Sequence, residues 1–399
     1  MTAGLSETRL ARLHDVMAGH VARHDIPGAV TLVERRGETH VDVVGAQAFD
    51  GGPMRRDSLF RITSMTKPIT AAAALLLVEQ CKLRLDDPVD HFLPELADRR
   101  VLKRLDGPLD DTVPAVRQIT LRDLLTFRLG LGFAFGPPDT PLQKAIGALE
   151  ITGFGPPNQA TPHGPDEWLR RLGTLPLMYQ PGERWLYNTG SYVLSVLIAR
   201  ASGQSFETFL GDHIFAPLGM RDTAFFVPAD KRDRLTTSYW FETGAKTLRL
   251  NDDAAQSEWN RPPAFADGGA GLISTIDDYA AFARMLLNRG RHGSARILSP
   301  PSVTLMTTDH LTDQQKASGG LILGRGQRGW GFGVSVVTGR DEIWATPGRY
   351  GWDGGYGTSW ANDPAEHMVA LLMTQRAEFP LFSDVYRDFW TSVYQAIGD

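Results

Sequence analysis

The run Ile62-Thr63-Ser64-Met65-Thr66-Lys67-Pro68 leads into AAAALLLVEQ at 71–80. Alanine and leucine are strong helix formers. After Lys67 no charged side chain follows until Glu79. A helix that apolar is buried on every side. Its start is expected near Thr63 or Ser64, which leaves Pro68 close to the first turn, where proline costs least. Ser64 and Lys67 stand at i and i+3 and share a helix face, so hydroxyl and amine can come within hydrogen-bond reach. A serine needs a base to become a nucleophile. A lysine serves as that base only when burial or a nearby cation lowers its pKa. The apolar helix supplies the burial, and its N-terminus supplies free amides for an oxyanion. With seven lysines in the chain, one chance S-x-x-K is expected roughly four times in ten. The motif therefore gains weight from its flanks and from its companions elsewhere in the chain.

Two further stretches carry chemistry-bearing residues. Trp185-Leu186-Tyr187-Asn188-Thr189 follows Pro181-Gly182. Tyr187 at such a loop-to-helix junction either packs or, beside a cation, exchanges protons. Gly351-Trp352-Asp353-Gly354-Gly355-Tyr356-Gly357-Thr358 enters a β-run. Its glycines either make a plain turn or let a strand edge approach a ligand and offer amides to an oxyanion. Other signatures are missing. G-x-S-x-G is absent, its nearest match being Gly357-Thr358-Ser359-Trp360-Ala361. There is no H-E-x-x-H and no P-loop. His20 and His24 have a metal-compatible i, i+4 spacing but no evident third ligand, so they read as surface-helix residues and no metal is expected.

The elements around these motifs set the expected fold. Ser6 and the spacing of Leu10, Leu13, Met17 and Val21 predict an opening helix. Ala29 to Arg35 and Thr39 to Val44 predict a hairpin around Arg36-Gly37-Glu38. From about 85 to 229 short helical patterns replace β-runs, at Leu121 to Thr126, Asp166 to Leu172, Tyr192 to Ala201 and Phe206 to Phe215. Gly130 to Pro165 is a long Gly/Pro-rich connection, the kind that lines sites. Helices at Thr275 to Asn288 and Phe382 to Ala396 enclose strands at Gly331 to Val337, Tyr356 to Ala361 and His367 to Thr374. The expected architecture is α+β. A single domain spans 1–399, with a mixed part from 1–84 and about 230–399 and a mainly helical part between them.

Composition narrows the function classes. The 399 residues carry a net charge of -5, which argues against nucleic acid as the main partner. One cysteine, Cys81, excludes an intrachain disulfide and a cysteine-held metal. It is expected to be buried and without a catalytic role. The longest clean apolar run is Ala71 to Val78, far short of the roughly 20 residues a membrane helix needs. No secretory signal is legible at the N-terminus. The expectation is a cytoplasmic protein that binds neither membrane nor nucleic acid.

Taken in order, these motifs resemble the serine β-lactamase and penicillin-binding-protein-like superfamily, and within it the class C branch and the family VIII carboxylesterases. The resemblance is carried by FRITSMTKPITAAAALLLVE at 60–79, LRLDDPVDHFLPEL at 83–96 and ITLRDLLTFRLGL at 119–131. It continues through YQPGERWLYNTGSYVLSVLIARASG at 179–203, IFAPLGMRDT at 214–223, GGAGLISTIDDYAAFARMLL at 268–287 and YGWDGGYGTSWANDP at 350–364. It implies a β-lactamase-like fold, an antiparallel sheet flanked by helices with a mainly helical insertion, and acyl-serine chemistry without a cofactor. It implies Ser64 as nucleophile, with Lys67 and Tyr187 as its proton-transfer partners, either of which can take the serine proton. It further implies the amides of Ser64 and Gly355 as oxyanion donors, with Gly354 beside them.

The departures from the β-lactamase pattern bear on substrate. Trp352-Asp353-Gly354 stands where β-lactamases carry Lys-Thr-Gly, and Thr189 stands at the third place of Tyr-x-Asn. An anionic substrate would meet an aromatic wall and a carboxylate in place of an ammonium. Family VIII esterases resemble the chain at both points. Arg128 either attracts an acidic acyl chain or pairs with Asp123, and the pairing is the favoured expectation. The activity expected is therefore hydrolysis of a small-molecule carboxylic ester. β-Lactam or amide cleavage, or acyl transfer, is the alternative on the same residues, and a non-catalytic binding protein is the reading from a different class.

Overall fold

The computed structural model describes residues 4–133, 139–154, 161–378 and 383–398. Helix α1 (Glu7–Ala22) precedes the hairpin of β1 (Gly28–Arg35) and β2 (Glu38–Gly45). Helix α2 (Thr66–Glu79) follows a single 3₁₀ turn at Thr63–Met65. The middle of the chain contributes α3 (Leu121–Leu125), α4 (Pro165–Gly173), α5 (Thr189–Ser202) and α6 (Phe206–Leu210). The last third contributes α7 (Ile276–Leu287), β3 (Arg328–Trp330), β4 (Ser335–Val337), β5 (Tyr350–Gly354), β6 (Thr358–Asp363), β7 (Met368–Thr374) and α8 (Asp384–Gln395).

The strands form one antiparallel sheet in the order β3-β4-β5-β6-β7-β1-β2. The hairpin from the start of the chain therefore lies beside strands from its end. β1 pairs with β7 in the register Leu32 opposite Leu371. Side chains alternate across a sheet, and the core divides accordingly. Val30, Leu32, Leu371 and Met373 face α2 and α7, where Ile69 and Phe282 meet them. Val33, Ala370 and Leu372 face α1 and α8, where Leu13 and Phe389 meet them. With both faces covered, β7 is buried along its whole length and reads as an uninterrupted apolar run.

The α+β, β-lactamase-like expectation matches this architecture. Two of the element boundaries differ in kind. Gly331 to Val337 is not one strand, because β3 and β4 pair with each other around a turn in which Gly333 has φ +70°. Phe206 to Phe215 is α6 followed by a π-helical turn at Gly211–Phe215. Cys81 is exposed, not buried, because α2 ends at Glu79 and Cys81 turns the chain with φ 57°. His20 is 1% exposed. Its ring nitrogens face Asp25 at 2.8 Å and Asp388 at 3.0 Å, which ties α1 to α8, so it is not a surface-helix residue. Among the described residues no cluster of His, Cys, Asp or Glu could hold a metal ion, and no helix is long and apolar enough to cross a membrane. Of the Gly130 to Pro165 connection, 134–138 and 155–160 lie outside the described residues, as does Phe382 of the closing helix.

Candidate active site

The turn carrying Ser64 is pinned from three sides. The Ile62 amide donates to Leu272 O at 3.0 Å, and the Leu272 amide donates to Thr66 Oγ1 at 3.2 Å. The Tyr279 hydroxyl donates to Met65 O at 2.9 Å. Thr63, just before the nucleophile, has φ 41°, a backbone region that is an outlier for a β-branched residue and is retained only where the surroundings enforce it. Strand β5 supplies the opposite wall. A Cβ on Gly354 would lie 2.3 Å from Ile62 O and 2.2 Å from Thr358 Oγ1, so only glycine lets the strand press this close to the Ser64 turn.

Lys67 Nζ lies 2.9 Å from Ser64 Oγ and donates to Gly269 O at 2.5 Å. Lys67 is fully buried, and that burial lowers its pKa to about 7, against a smaller opposing pull from the Asp267 carboxylate. An amine that titrates near neutrality can accept the serine proton. The same ammonium position lies 4.8 Å above the Tyr187 ring centroid.

Tyr187 is held through backbone bonds on both sides. The Leu186 amide donates to Phe127 O at 2.8 Å, and the Phe133 amide donates to Tyr187 O at 2.9 Å. Its hydroxyl bonds to the Ser64 hydroxyl and accepts from Trp352 Nε1 at 2.9 Å. Burial raises the Tyr187 pKa well above the usual phenol value, with the bonds to Ser64 and Trp352 opposing. The group is a neutral phenol that can donate a proton. Burial thus moves the two groups in opposite directions, the amine toward losing its proton and the phenol toward keeping it.

The predicted oxyanion donors come together at the same place. Ser64 is the middle residue of the turn, and Gly355 directly follows β5, whose last residue presses against that turn. Trp352 joins Phe127, Trp185, Tyr187, Leu323 and Trp330 in an aromatic cluster, with Trp330 and Trp352 edge to face at 4.7 Å. An aromatic wall beside Ser64 is therefore present.

Two neighbouring residues depart from the expectation. Asp353 does not add a negative charge to that wall. Adjacent strand residues face opposite sides, and Asp353 accepts from Ser359 Oγ at 2.5 Å on the α8 side, where Ser359 Oγ also meets Trp390 Nε1 at 3.1 Å. Thr189 is fully buried and donates to Gly153 O at 3.1 Å, so it holds a loop and does not present its hydroxyl at Ser64. Asn188 Nδ2 reaches the same carbonyl at 3.2 Å, from a backbone at φ 86°.

Arg128 does not pair with Asp123. Arg117 takes that carboxylate, with Nη2 2.9 Å from Oδ1, while Arg128 donates to Thr126 Oγ1 at 2.9 Å and Gln315 Oε1 at 3.4 Å. Asp267 and the strained residues Thr63 and Asn188 went unrecognised in the sequence. The glycine-rich run after Asp267 is the one signal that points to the first.

A family model described as Beta-lactamase matches residues 13–389. The chain belongs to the beta-lactamase family. Within this family it is 41% identical over 362 residues to an uncharacterised protein of Mycobacterium tuberculosis, covering 88% of this chain and 86% of that one. It is 32% identical over 387 residues to Esterase EstB of Burkholderia gladioli, covering 92% and 90%. The solved structure of EstCE1, described as a hydrolase with promiscuous acyltransferase activity, superposes with a TM-score of 0.80 at 24% identity, covering 97% of this chain and 99% of that one. The resemblance to family VIII esterases is thus matched by an esterase relative, and the chain is a serine hydrolase of the beta-lactamase family.

Proposed function

We propose that this protein hydrolyses carboxylic esters through an acyl-Ser64 intermediate. The observation that carries the reading is the Ser64–Lys67 contact at 2.9 Å with the amine brought to a pKa of about 7 by burial. A neutral Lys67 takes the Ser64 proton as Oγ attacks the ester carbonyl carbon. The oxyanion accepts from the Ser64 and Gly355 amides, each donor being worth roughly 3–4 kcal/mol in the transition state. The carbonyl re-forms and the alkoxide leaves, taking a proton from Tyr187, which recovers it from Lys67. Water then attacks the acyl carbon, gives its proton back through the same pair, and releases acid and free serine. An alcohol in place of water would give acyl transfer.

Esters are favoured over anionic lactams by the charges around the site. Asp267 is the charged group acting on Lys67, and Trp352 stands where a β-lactamase carries a lysine. Among the described residues no second cation acts on this pair. A substrate carboxylate would lose its hydration without gaining a counter-charge. The similarity to an esterase supports the same choice. The proposed substrate is a neutral small-molecule ester, and the proposed setting is the cytoplasm, with neither membrane nor nucleic acid as partner.

The test is paired kcat/KM values for p-nitrophenyl butyrate and nitrocefin, with Ser64→Ala as the blank. A large Ser64-dependent preference for the ester is expected. A preference for nitrocefin would overturn the ester reading.

A further inference from the structure

Asp267 opens the glycine-rich turn that reaches Lys67. It is 5% exposed. Its Oδ1 accepts from the amides of Gly269 at 2.9 Å and Ala270 at 2.6 Å. Those bonds fold 267–271 into a tight turn, and the carbonyl of Gly269 is what the turn delivers to Lys67 Nζ at 2.5 Å. The turn is braced from outside as well. The Gly268 amide donates to Ser195 Oγ at 2.6 Å, and Thr70 Oγ1 donates to Gly268 O at 2.8 Å. A Cβ on Gly269 would lie 2.2 Å from the Tyr192 ring. Two features therefore meet at one side chain: the geometry of the carbonyl that holds the amine, and a buried carboxylate two residues before that carbonyl.

We propose that Asp267 is a positioning residue for Lys67, whose carboxylate shapes the turn that holds the amine and supplies the counter-charge for its ammonium form. The inference rests on the acyl-Ser64 reading. The groups facing this pair are few. Lys67 meets Ser64 from the 3₁₀ turn, the Tyr187 ring from the segment before α5, and Asp267 from the turn before Ile273. Asp267 feels the charge of Lys67 and itself acts on Tyr192 of α5. Tyr192 is a buried phenol held far above its usual pKa and stays neutral. Lys67 is thus the one cation balancing Asp267 among these groups, and Asp267 the one anion balancing Lys67.

Charge and shape are separable by substitution. Asp267→Asn keeps an acceptor for both amides and removes the charge. The ammonium of Lys67 then loses its counter-charge, so the amine gives up its proton at lower pH. The readout is the rate at which an uncharged fluorophosphonate labels Ser64, followed across pH, because labelling needs the base and no particular substrate. The acidic limb of the Asn variant is expected about one pH unit lower than wild type, the low end for a lost opposite charge. Labelling on that limb then rises several-fold, while the alkaline plateau falls because a weaker base removes the proton less readily.

Asp267→Ser, with one acceptor and no charge, is made in parallel in case the amide does not fit, and must shift the limb in the same direction. A folded variant that loses rate with an unmoved limb overturns the inference, since a purely structural turn would behave that way. Wild-type protein that is not labelled at Ser64 overturns the acyl-serine reading and the inference with it, and the two failures are told apart by that control.

Discussion

The indole of Trp352 donates its N–H to the Tyr187 hydroxyl at 2.9 Å, while that hydroxyl also bonds to Ser64. This fixes the phenol. The phenol oxygen is thus tied to both the indole and the serine. In the proposed mechanism the tryptophan that stands in place of the β-lactamase lysine would hold the proton donor in place as well as wall the site.

Trp352→Phe keeps the ring and removes the donor. A neutral hydrogen bond of this kind is worth roughly 1 kcal/mol, so kcat for an ester should fall about fivefold with little change in KM. Trp352→Lys would restore a cation. The ratio of nitrocefin to p-nitrophenyl butyrate kcat/KM should rise at least about tenfold. An unchanged ratio would show that position 352 does not set selectivity between neutral and anionic substrates.

Tyr187→Phe removes the proton donor and leaves the packing of the ring. Loss of a positioned acid costs about 10²–10⁴ in rate. The loss should be greatest for esters of poor leaving alcohols and smaller for p-nitrophenyl esters, whose leaving group needs no proton. Steady-state kinetics on an ethyl and a p-nitrophenyl ester of the same acid measures this. Equal losses on both would contradict the assigned role.

Lys67 links activity to stability. Its pKa is about 7 in the folded chain against 10.5 when exposed. The unfolded chain therefore binds more protons between those values, and stability rises with pH across that window. Below about pH 7 the folded protein carries a buried ammonium and bears the whole penalty. Lys67→Met should be inactive. Near pH 6 it should also be more stable than wild type by at least about 1 kcal/mol in urea unfolding, since a tenfold change in proton affinity corresponds to about 1.4 kcal/mol. The difference should shrink as pH rises toward 10. Wild-type activity, in turn, should fall as pH drops through about 7.

Gly354→Ala tests the close approach of β5 to the Ser64 turn. The new methyl carbon would lie 2.3 Å from Ile62 O, so strand or turn must move and the two oxyanion amides separate. Loss of one such donor costs about 10²–10³ in kcat. The variant should fold, with a lower melting temperature, and lose rate on that scale. Near wild-type kcat would mean that the strand is not part of the oxyanion site.

The fold was legible where pattern is local. The apolar run after Lys67 gave α2, and the β-rich runs on either side of Arg36-Gly37-Glu38 gave the hairpin, because burial on all sides and a short turn leave plain marks on sequence. Ser64, Lys67 and Tyr187 could be found from motif order alone. What escaped depends on contacts between distant segments. Gly331 to Val337 looked like one strand because a turn through Phe332 and Val334 buries both and keeps the run apolar. Asp353 looked like part of the site because its neighbour Trp352 is, and only the pleat sends it to Ser359 on the other face. Arg128 and Asp123 looked paired at five residues' separation, yet Arg117 reaches the carboxylate first. Nothing near Asp267 in sequence shows that its turn closes on Lys67.

The proposed mechanism requires a covalent acyl group on Ser64. The most direct measurement is intact-protein and peptide mass spectrometry of enzyme quenched during turnover of p-nitrophenyl butyrate. The account predicts a butyryl adduct on the peptide containing Ser64, formed in a burst and absent from Ser64→Ala. An adduct on another residue, or ester turnover by Ser64→Ala at the wild-type rate, would contradict it.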